Sequence, residues 1–231
     1  MLTGVIASTE IEINIVVGAL DECERIDIHH QTFYRGLINQ KTSVVICICG
    51  VGKANAAYST GLFIERFSPD IIYLIGIGGA YPSSGLNIGD IVIGEKEIYG
   101  DEGLALKDGF HTMQEIGLPV LVIDGIDYFN EFQLLVPEKL NTFKSKGNFV
   151  TVSSCTGSLE KAFAIEKKFK AICENMEGAA VAHICKLYGI TPVEIRGISN
   201  IIGDREAAKL CKNDILKAAE NVQRFFIECI D

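Results

Sequence analysis

Residues 174–200 read ENMEGAAVAHICKLYGITPVEIRGISN, and this stretch decides the fold. Ala180, Val181, Ile184 and Leu187 recur at three- and four-residue spacing, which predicts a helix starting near Met176–Glu177. Gly189 supplies a C-cap, and Pro192 forbids continuation. Val193–Ser199 then reads as a strand, with Val193, Ile195 and Ile198 apolar and Glu194 and Arg196 set between them. Charges inside an apolar strand need partners or a cavity to face. Glu174, Glu177 and Asn200 stand at element ends, where α/β sheets present their ligand contacts.

Outward from this helix–strand unit the same alternation continues. Apolar runs at Leu2–Ala7, Val44–Cys49, Ile71–Ile75 and Val150–Val152 read as buried strands, with helical patterns between them. No repeat, low-complexity tract or linker divides the 231 residues, so residues 1–231 are expected to form one doubly wound α/β domain. A net charge of −9 argues against a nucleic-acid backbone as partner. No uncharged apolar run reaches the ~18 residues of a membrane span. The start, MLTGVIASTE, lacks the basic opening and cleavage site of a secretory signal. The eight cysteines form neither C-x-x-C nor a Cys/His cluster with zinc spacing. They read as free thiols in a reducing cytosol, with no metal implied.

Several segments carry chemistry-bearing residues. Ser8–Ile15 alternates like a strand, yet Ile13, Val16 and Leu20 also fit a helix capped by Ser8 or Thr9, with Glu10 and Glu12 in its first turn. Gly50-Val-Gly52-Lys53-Ala-Asn55 completes neither a P-loop nor G-x-G-x-x-G, and reads as a glycine turn opening a helix. Residues 21–43 look like a helix tail and a polar hairpin, where the adjacent His29 and His30 point apart. Glycines at 76, 78 and 79 follow a strand and let a ligand approach the backbone. Residues 99–127 read as a long loop, with Phe110, His111 and Tyr128 as candidates to close over a substrate. Ser153, Ser154, Thr156 and Gly157 form a hydroxyl-rich turn before a basic amphipathic helix, Ser158–Phe169. Glu206–Cys229 has the spacing of a helix docked on a sheet.

The pair Met176–Glu177, followed at a fixed distance by Arg196-Gly-Ile-Ser199–Asn200, resembles the core motif of the purine nucleoside phosphorylase / nucleosidase superfamily. The resemblance spans nearly the whole chain. It implies a three-layer α/β/α fold with a mixed central sheet, no cofactor, and a purine nucleoside as small-molecule substrate. It places Asn200 at the base, Glu177 on the ribose hydroxyls with Met176 against the sugar, and Glu12, with Glu10 as nearby rival, beside the attacking water. Arg196 and Ser199 would steady the carboxylates. Ile77, Gly78 and Gly79 would line the ribose and base site, the turn at Ser154, Thr156 and Gly157 would meet the purine, and Asn175 would bind substrate. Phosphorylases often carry a hydroxyl where this chain has Ile77, which favours water over phosphate; Arg25 and Arg35 are the remaining candidates for a phosphate site.

Asn200 departs from the adenine-cleaving nucleosidases, which have Asp at this place. An amide donates through its NH₂ and suits a 6-oxo purine. ST-x-x-E, GIGGAYP, TVSS-C-TG and RGISN-x-x-G-x-R look most like the futalosine hydrolase branch. That branch releases hypoxanthine and dehypoxanthinyl futalosine in menaquinone biosynthesis, and Arg205 would meet the substrate's distal carboxylate or order a covering loop. The alternatives are a 5'-methylthioadenosine/S-adenosylhomocysteine nucleosidase, a phosphate-dependent phosphorylase, and a non-catalytic nucleoside-binding module. Relatives in this superfamily are commonly cytoplasmic homodimers, so the same is expected here, with no membrane partner.

Overall fold

The computed structural model describes residues 1–107, 109–203 and 211–230. In chain order the elements are β1 (Leu2–Ala7), α1 (Asn14–Gly18), β2 (Asp21–Ile28), β3 (Gln31–Ile38), β4 (Thr42–Ile48), α2 (Lys53–Phe67), β5 (Ile71–Ala80) and β6 (Ile91–Tyr99). Short strands follow: β7 (Gly103–Leu106), β8 (Gly109–Thr112), β9 (Leu121–Ile123), β10 (Ile126–Tyr128) and β11 (Glu131–Gln133). The chain ends with β12 (Lys146–Thr151), α3 (Leu159–Phe169), β13 (Ala171–Asn175), α4 (Gly178–Leu187), β14 (Val193–Ile201) and α5 (Lys212–Cys229).

Alternation along the buried strands builds three layers. On β1 and β5, Val5, Ala7, Tyr73 and Ile75 face α1 and α5 through Val16, Val222 and Phe226. Ile6, Ile72 and Leu74 face the opposite layer, where α2 and α4 contribute Ala56, Phe63, Ala180 and Val181. The sheet is mixed: β1 runs parallel to β4 and β5, while β13 runs antiparallel to β5. It also curls. β14 pairs with β5 in parallel and with β6 antiparallel, and β6, β12, β13 and β5 complete a ring. Ring closure buries every residue of β14 from Val193 to Ser199.

Some expected elements differ. Residues 21–43 contain no helix tail; β2 and β3 form a hairpin turned by His29 and His30, both at positive φ. The glycine-rich residues 76–80 are not a loop but the second half of β5. Residues 99–127 hold the hairpin β7–β8 and the strand β9. β13, absent from the sequence reading, is inserted between α3 and α4. The expected start of the last helix at Glu206, and Arg205, lie outside the described residues.

Candidate active site

A cavity of about 340 Å³ opens where β5, β13 and β14 meet the turn after β1. That turn resolves the ambiguity of residues 8–15. Glu10–Glu12 form one 3₁₀ turn. Thr9 donates from its backbone N–H (2.9 Å) and its hydroxyl (2.8 Å) to Glu12 Oε2. This reciprocal cap aims Glu12 inward. Its other oxygen, Oε1, accepts the Ile77 N–H of β5 at 2.9 Å. Glu12 is buried on the cavity wall, whereas Glu10 is exposed and does not line it. Burial raises the Glu12 carboxyl above its ordinary pKa, against the opposing pull of the Ile77 N–H, Arg196 and Thr9.

The start of α4 supplies the second acid. Glu177 is the N-cap, and its Oε1 accepts the Gly52 N–H at 2.9 Å. Asn175 Oδ1 accepts the N–H groups of Glu177 (3.0 Å) and Gly178 (2.7 Å), so this side chain shapes the helix start. Arg196 lies behind both acids and is wholly buried. Its Nη1 is 3.8 Å from Glu177 Oε2 and donates to the Ile77 carbonyl at 3.2 Å; its Nε donates to Glu194 at 2.8 Å. The strand partner to Arg196 explains one glycine: a Cβ at Gly76 would stand 2.6 Å from Glu12 Oε1 and 2.8 Å from Arg196 Nη1.

At the end of β14 the register against β5 shifts between Ile198 and Asn200. This bulge lets the consecutive residues Ser199 and Asn200 both line the cavity, which a regular pleat forbids. Ser199 Oγ sits 3.0 Å from Asn200 Oδ1 and 3.2 Å from the Gly78 carbonyl. Asn200 Nδ2 and Arg196 Nη2 are buried, with no hydrogen-bond partner among the described residues. Both are donors left without an acceptor.

The expected residues Glu12, Ile77, Gly78, Gly79, Asn175, Met176, Glu177, Ser199 and Asn200 all line this cavity. Four do not. Arg196 acts from beneath. Ser154 and Gly157 are exposed outside it, because the turn presents the intervening Cys155 instead. Thr156 is buried and gives its N–H (2.8 Å) and hydroxyl (2.6 Å) to Glu174. Phe110, His111 and Tyr128 are likewise absent from the cavity wall, and Phe110 packs on Phe169 instead. Arg25 is exposed and paired with Asp27, and neither it nor Arg35 reaches the cavity.

Sequence reasoning missed Ser8, Thr9, Ile11, Val51, Cys155 and Ile215 as lining residues, and marked Glu174 only as an acid at an element end. Glu174 also takes a hydrogen bond from the Tyr81 hydroxyl at 3.1 Å, so three donors hold its carboxylate at the cavity. Its position at a strand end was the available signal. No group of His, Cys, Asp or Glu among the described residues is arranged to hold a metal ion.

The phosphorylase superfamily model matches residues 3–231. A 5'-methylthioadenosine/S-adenosylhomocysteine nucleosidase of Staphylococcus aureus is 33% identical over 201 residues, covering 87% of this chain and 86% of that protein. Among solved structures, the nucleosidase of the same name from Neisseria meningitidis, in complex with methylthio-immucillin-A, has a TM-score of 0.81 at 23% identity, over 98% of this chain and 97% of that one. The Colwellia psychrerythraea nucleosidase in complex with adenine has a TM-score of 0.80 at 24% identity, over 98% and 93%. These two likenesses are likenesses of fold.

Proposed function

The chain belongs to the phosphorylase superfamily, and from that premise we propose that it is an N-glycosyl hydrolase, cleaving a purine nucleoside with water as the nucleophile. One observation carries the reading: two buried carboxylates, Glu12 and Glu177, share a cavity with the Asn200 amide. Breaking a purine–ribose bond makes the sugar oxocarbenium-like, so carboxylates beside it stabilise the transition state. The departing base needs a donor at N7, and water must be held on the opposite face of the sugar.

Each need has a matching group. Glu12, with its raised pKa, orients water and takes its proton, because a base works best with a pKa nearer the working pH. Glu177 receives the ribose hydroxyls, with Met176 against the sugar. Arg196 holds the acids from beneath. The glycines of β5 let the ring lie close to the backbone, while Ile77 offers no hydroxyl to a phosphate. The domain doing this is taken as residues 1–231, since one sheet draws strands from Leu2 to Ile201. We take the working protein to be a cytoplasmic homodimer; sedimentation reads the oligomeric state.

For the substrate, the named relatives favour 5'-methylthioadenosine and S-adenosylhomocysteine, and weigh more than the motif likeness to futalosine hydrolases. Futalosine stays as the second reading because of Asn200. Its unpartnered Nδ2 donates, which matches N7 and O6 of a hypoxanthine base, and the Glu174 carboxylate on the same wall would accept an N1–H. An adenine 6-amino group offers Nδ2 no acceptor.

The test is incubation of the purified protein with methylthioadenosine, S-adenosylhomocysteine, futalosine and inosine, with and without phosphate, reading the free base. Adenine release without phosphate supports the first reading. Hypoxanthine from futalosine alone moves the assignment to the second. A phosphate requirement overturns hydrolysis altogether. Asn200→Asp is expected to raise adenine release relative to hypoxanthine release, since a carboxyl can accept from a 6-amino group.

A further inference from the structure

Behind the cavity, on the far side of Arg196, a second pair of acids is buried. Glu97 of β6 and Glu194 of β14 are 0% and 1% exposed. Both converge on Gly178, the first residue of α4. A Cβ there would lie 2.7 Å from Glu194 Oε1 and would overlap Glu97 Oε1. The Oε1 atoms of the two carboxyls therefore crowd the same point beside the start of α4. Glu97 receives the Thr151 hydroxyl at 2.8 Å, the Ile98 N–H at 3.1 Å and the Asn175 side-chain amide. Glu194 Oε1 receives Arg196 Nε, and Glu194 Oε2 is buried without a partner among the described residues.

Charge balance limits what this arrangement can hold. Glu12, Glu97, Glu177 and Glu194 surround Arg196, whose guanidinium is the only cation among the described residues that acts on all of them. Four adjacent buried anions against one cation are not sustainable, so at least one acid keeps its proton. Cys173, Tyr81 and Tyr99 also feel Glu97, but burial pushes all three upward and leaves them neutral. Glu194 and Glu177 lie against the guanidinium; Glu12 and Glu97 each take a backbone N–H, from Ile77 and Ile98, and Glu97 has no ion pair among the described residues.

We propose that Glu97 and Glu194 are an acid pair sharing one proton, carried on Glu97 and donated to Glu194, and that they are positioning residues for the hydrolase reaction. The Glu194 carboxylate fixes the Arg196 guanidinium beneath Glu12 and Glu177. The Glu97 carboxyl fixes Asn175, which in turn holds the N–H groups that set the Glu177 end of α4. The shared proton removes one of the two negative charges and lets both acids stay dry. Burial and the neighbouring carboxylate push Glu97 well above the ordinary glutamate range, in the same sense.

The kinetic part of this inference rests on the hydrolase reading; the protonation part does not. Infrared difference spectra of the wild type, Glu97→Gln and Glu194→Gln at neutral pH read the protonated-carboxyl absorption directly. The expected result is a band in the wild type, lost in Glu97→Gln and kept in Glu194→Gln. No such band in the wild type, or its loss in Glu194→Gln alone, overturns the proposal without any variant's activity being needed. In turnover of whichever nucleoside the protein cleaves, Glu97→Gln lowers kcat by a smaller factor than Glu194→Gln, because an amide still donates to Glu194 but can accept at only one of its two terminal atoms. Glu194→Gln lowers kcat by about tenfold or more while KM moves little, because Arg196 loses its anchor. Equal kcat in Glu194→Gln and wild type overturns the positioning role. If no purine nucleoside is cleaved yet the infrared pattern holds, the hydrolase reading fails and the shared proton stands.

Discussion

Two strands of this molecule each carry an arginine two residues from an acid. On β14 the pair is Glu194 and Arg196, on β2 it is Arg25 and Asp27. The spacing places both members on one strand face in each case. The N–O distances are similar, 2.8 and 3.2 Å. The surroundings are opposite. Side-chain exposure is 0% and 1% for Arg196 and Glu194, but 62% and 57% for Arg25 and Asp27. β14 lies between β5 and β6 under α5, whereas β2 is the outer strand of the sheet. Identical chemistry at identical spacing therefore becomes a structural keystone in one place and a solvated ornament in the other. Position in the sheet decides, through the dielectric around the charges.

The strongest way to test that contrast is Arg196→Met. It leaves Glu194, Glu177 and Glu12 buried with no countercharge, and breaking a buried pair costs about 3–5 kcal/mol. A loss of roughly 10 °C in Tm is expected for a chain this long, together with loss of turnover. A melt within a degree or two of the wild type would mean that the acids around Arg196 are already neutral.

Next in size is Glu12→Gln, which separates chemistry from folding. Removing the base is expected to lower kcat by about 10²–10⁴. In the wild type, kcat/KM rises with pH through an apparent pKa above the ordinary glutamate value, and this acid limb vanishes in the variant. Stability moves the other way. A carboxyl whose folded pKa is raised contributes stability below its unfolded pKa, and that contribution is lost as pH rises through the folded value. The amide escapes that loss but accepts at one oxygen where Glu12 accepts at two, so the two effects offset and the inactive variant is expected to melt within a few degrees of the wild type at neutral pH. An inactive variant that also melts early would make Glu12 a structural residue.

A smaller effect tests whether helix propensity or crowding rules at Gly178. In an exposed helix, Gly→Ala is worth about 1 kcal/mol of stability. Here the new Cβ would meet the carboxyls of Glu97 and Glu194, both in a packed interior. Gly178→Ala is expected to destabilise by about 1–3 kcal/mol, as overpacking does. A raised Tm in a thermal melt would show that the acids can move aside.

These residues also mark how far the sequence could be read. Met176–Glu177, the helix after them and the strand to Ser199 were legible, because apolar spacing and the Gly189–Pro192 break are local signals. The charges at Glu194 and Arg196 announced partners or a cavity. Arg196 turned out to serve both, touching Glu194 on one side and the site's Glu177 on the other. Glu97 was not legible, since its burial depends on ring closure among β5, β6, β12, β13 and β14, which no local pattern records. Cys155 in place of Ser154 and Gly157, and the joint exposure of Ser199 and Asn200 to the cavity, depend on a turn geometry and a bulge. Alternation assumes a regular pleat and misplaces both. The choice between Glu10 and Glu12 fell the same way: a 3₁₀ turn capped by Thr9, neither strand nor full helix, made one acid face inward.

The smallest expected effect completes the contrast. Arg25→Ala removes the exposed counterpart of the buried pair and should leave Tm and turnover unchanged within measurement scatter. The reason lies in how Asp27 is held. Its carboxyl sits below the ordinary range first because the Thr32 hydroxyl donates to it at 2.7 Å, and only second because of Arg25. A lowered folded pKa contributes stability above the unfolded value that is lost as pH falls through the folded one, so whatever Asp27 adds appears only in acid titrations. In Thr32→Val the Asp27 pKa, followed by NMR, should therefore rise further than in Arg25→Ala. The opposite order would mean that the exposed ion pair is the stronger tether, and the difference between β2 and β14 would then be one of degree.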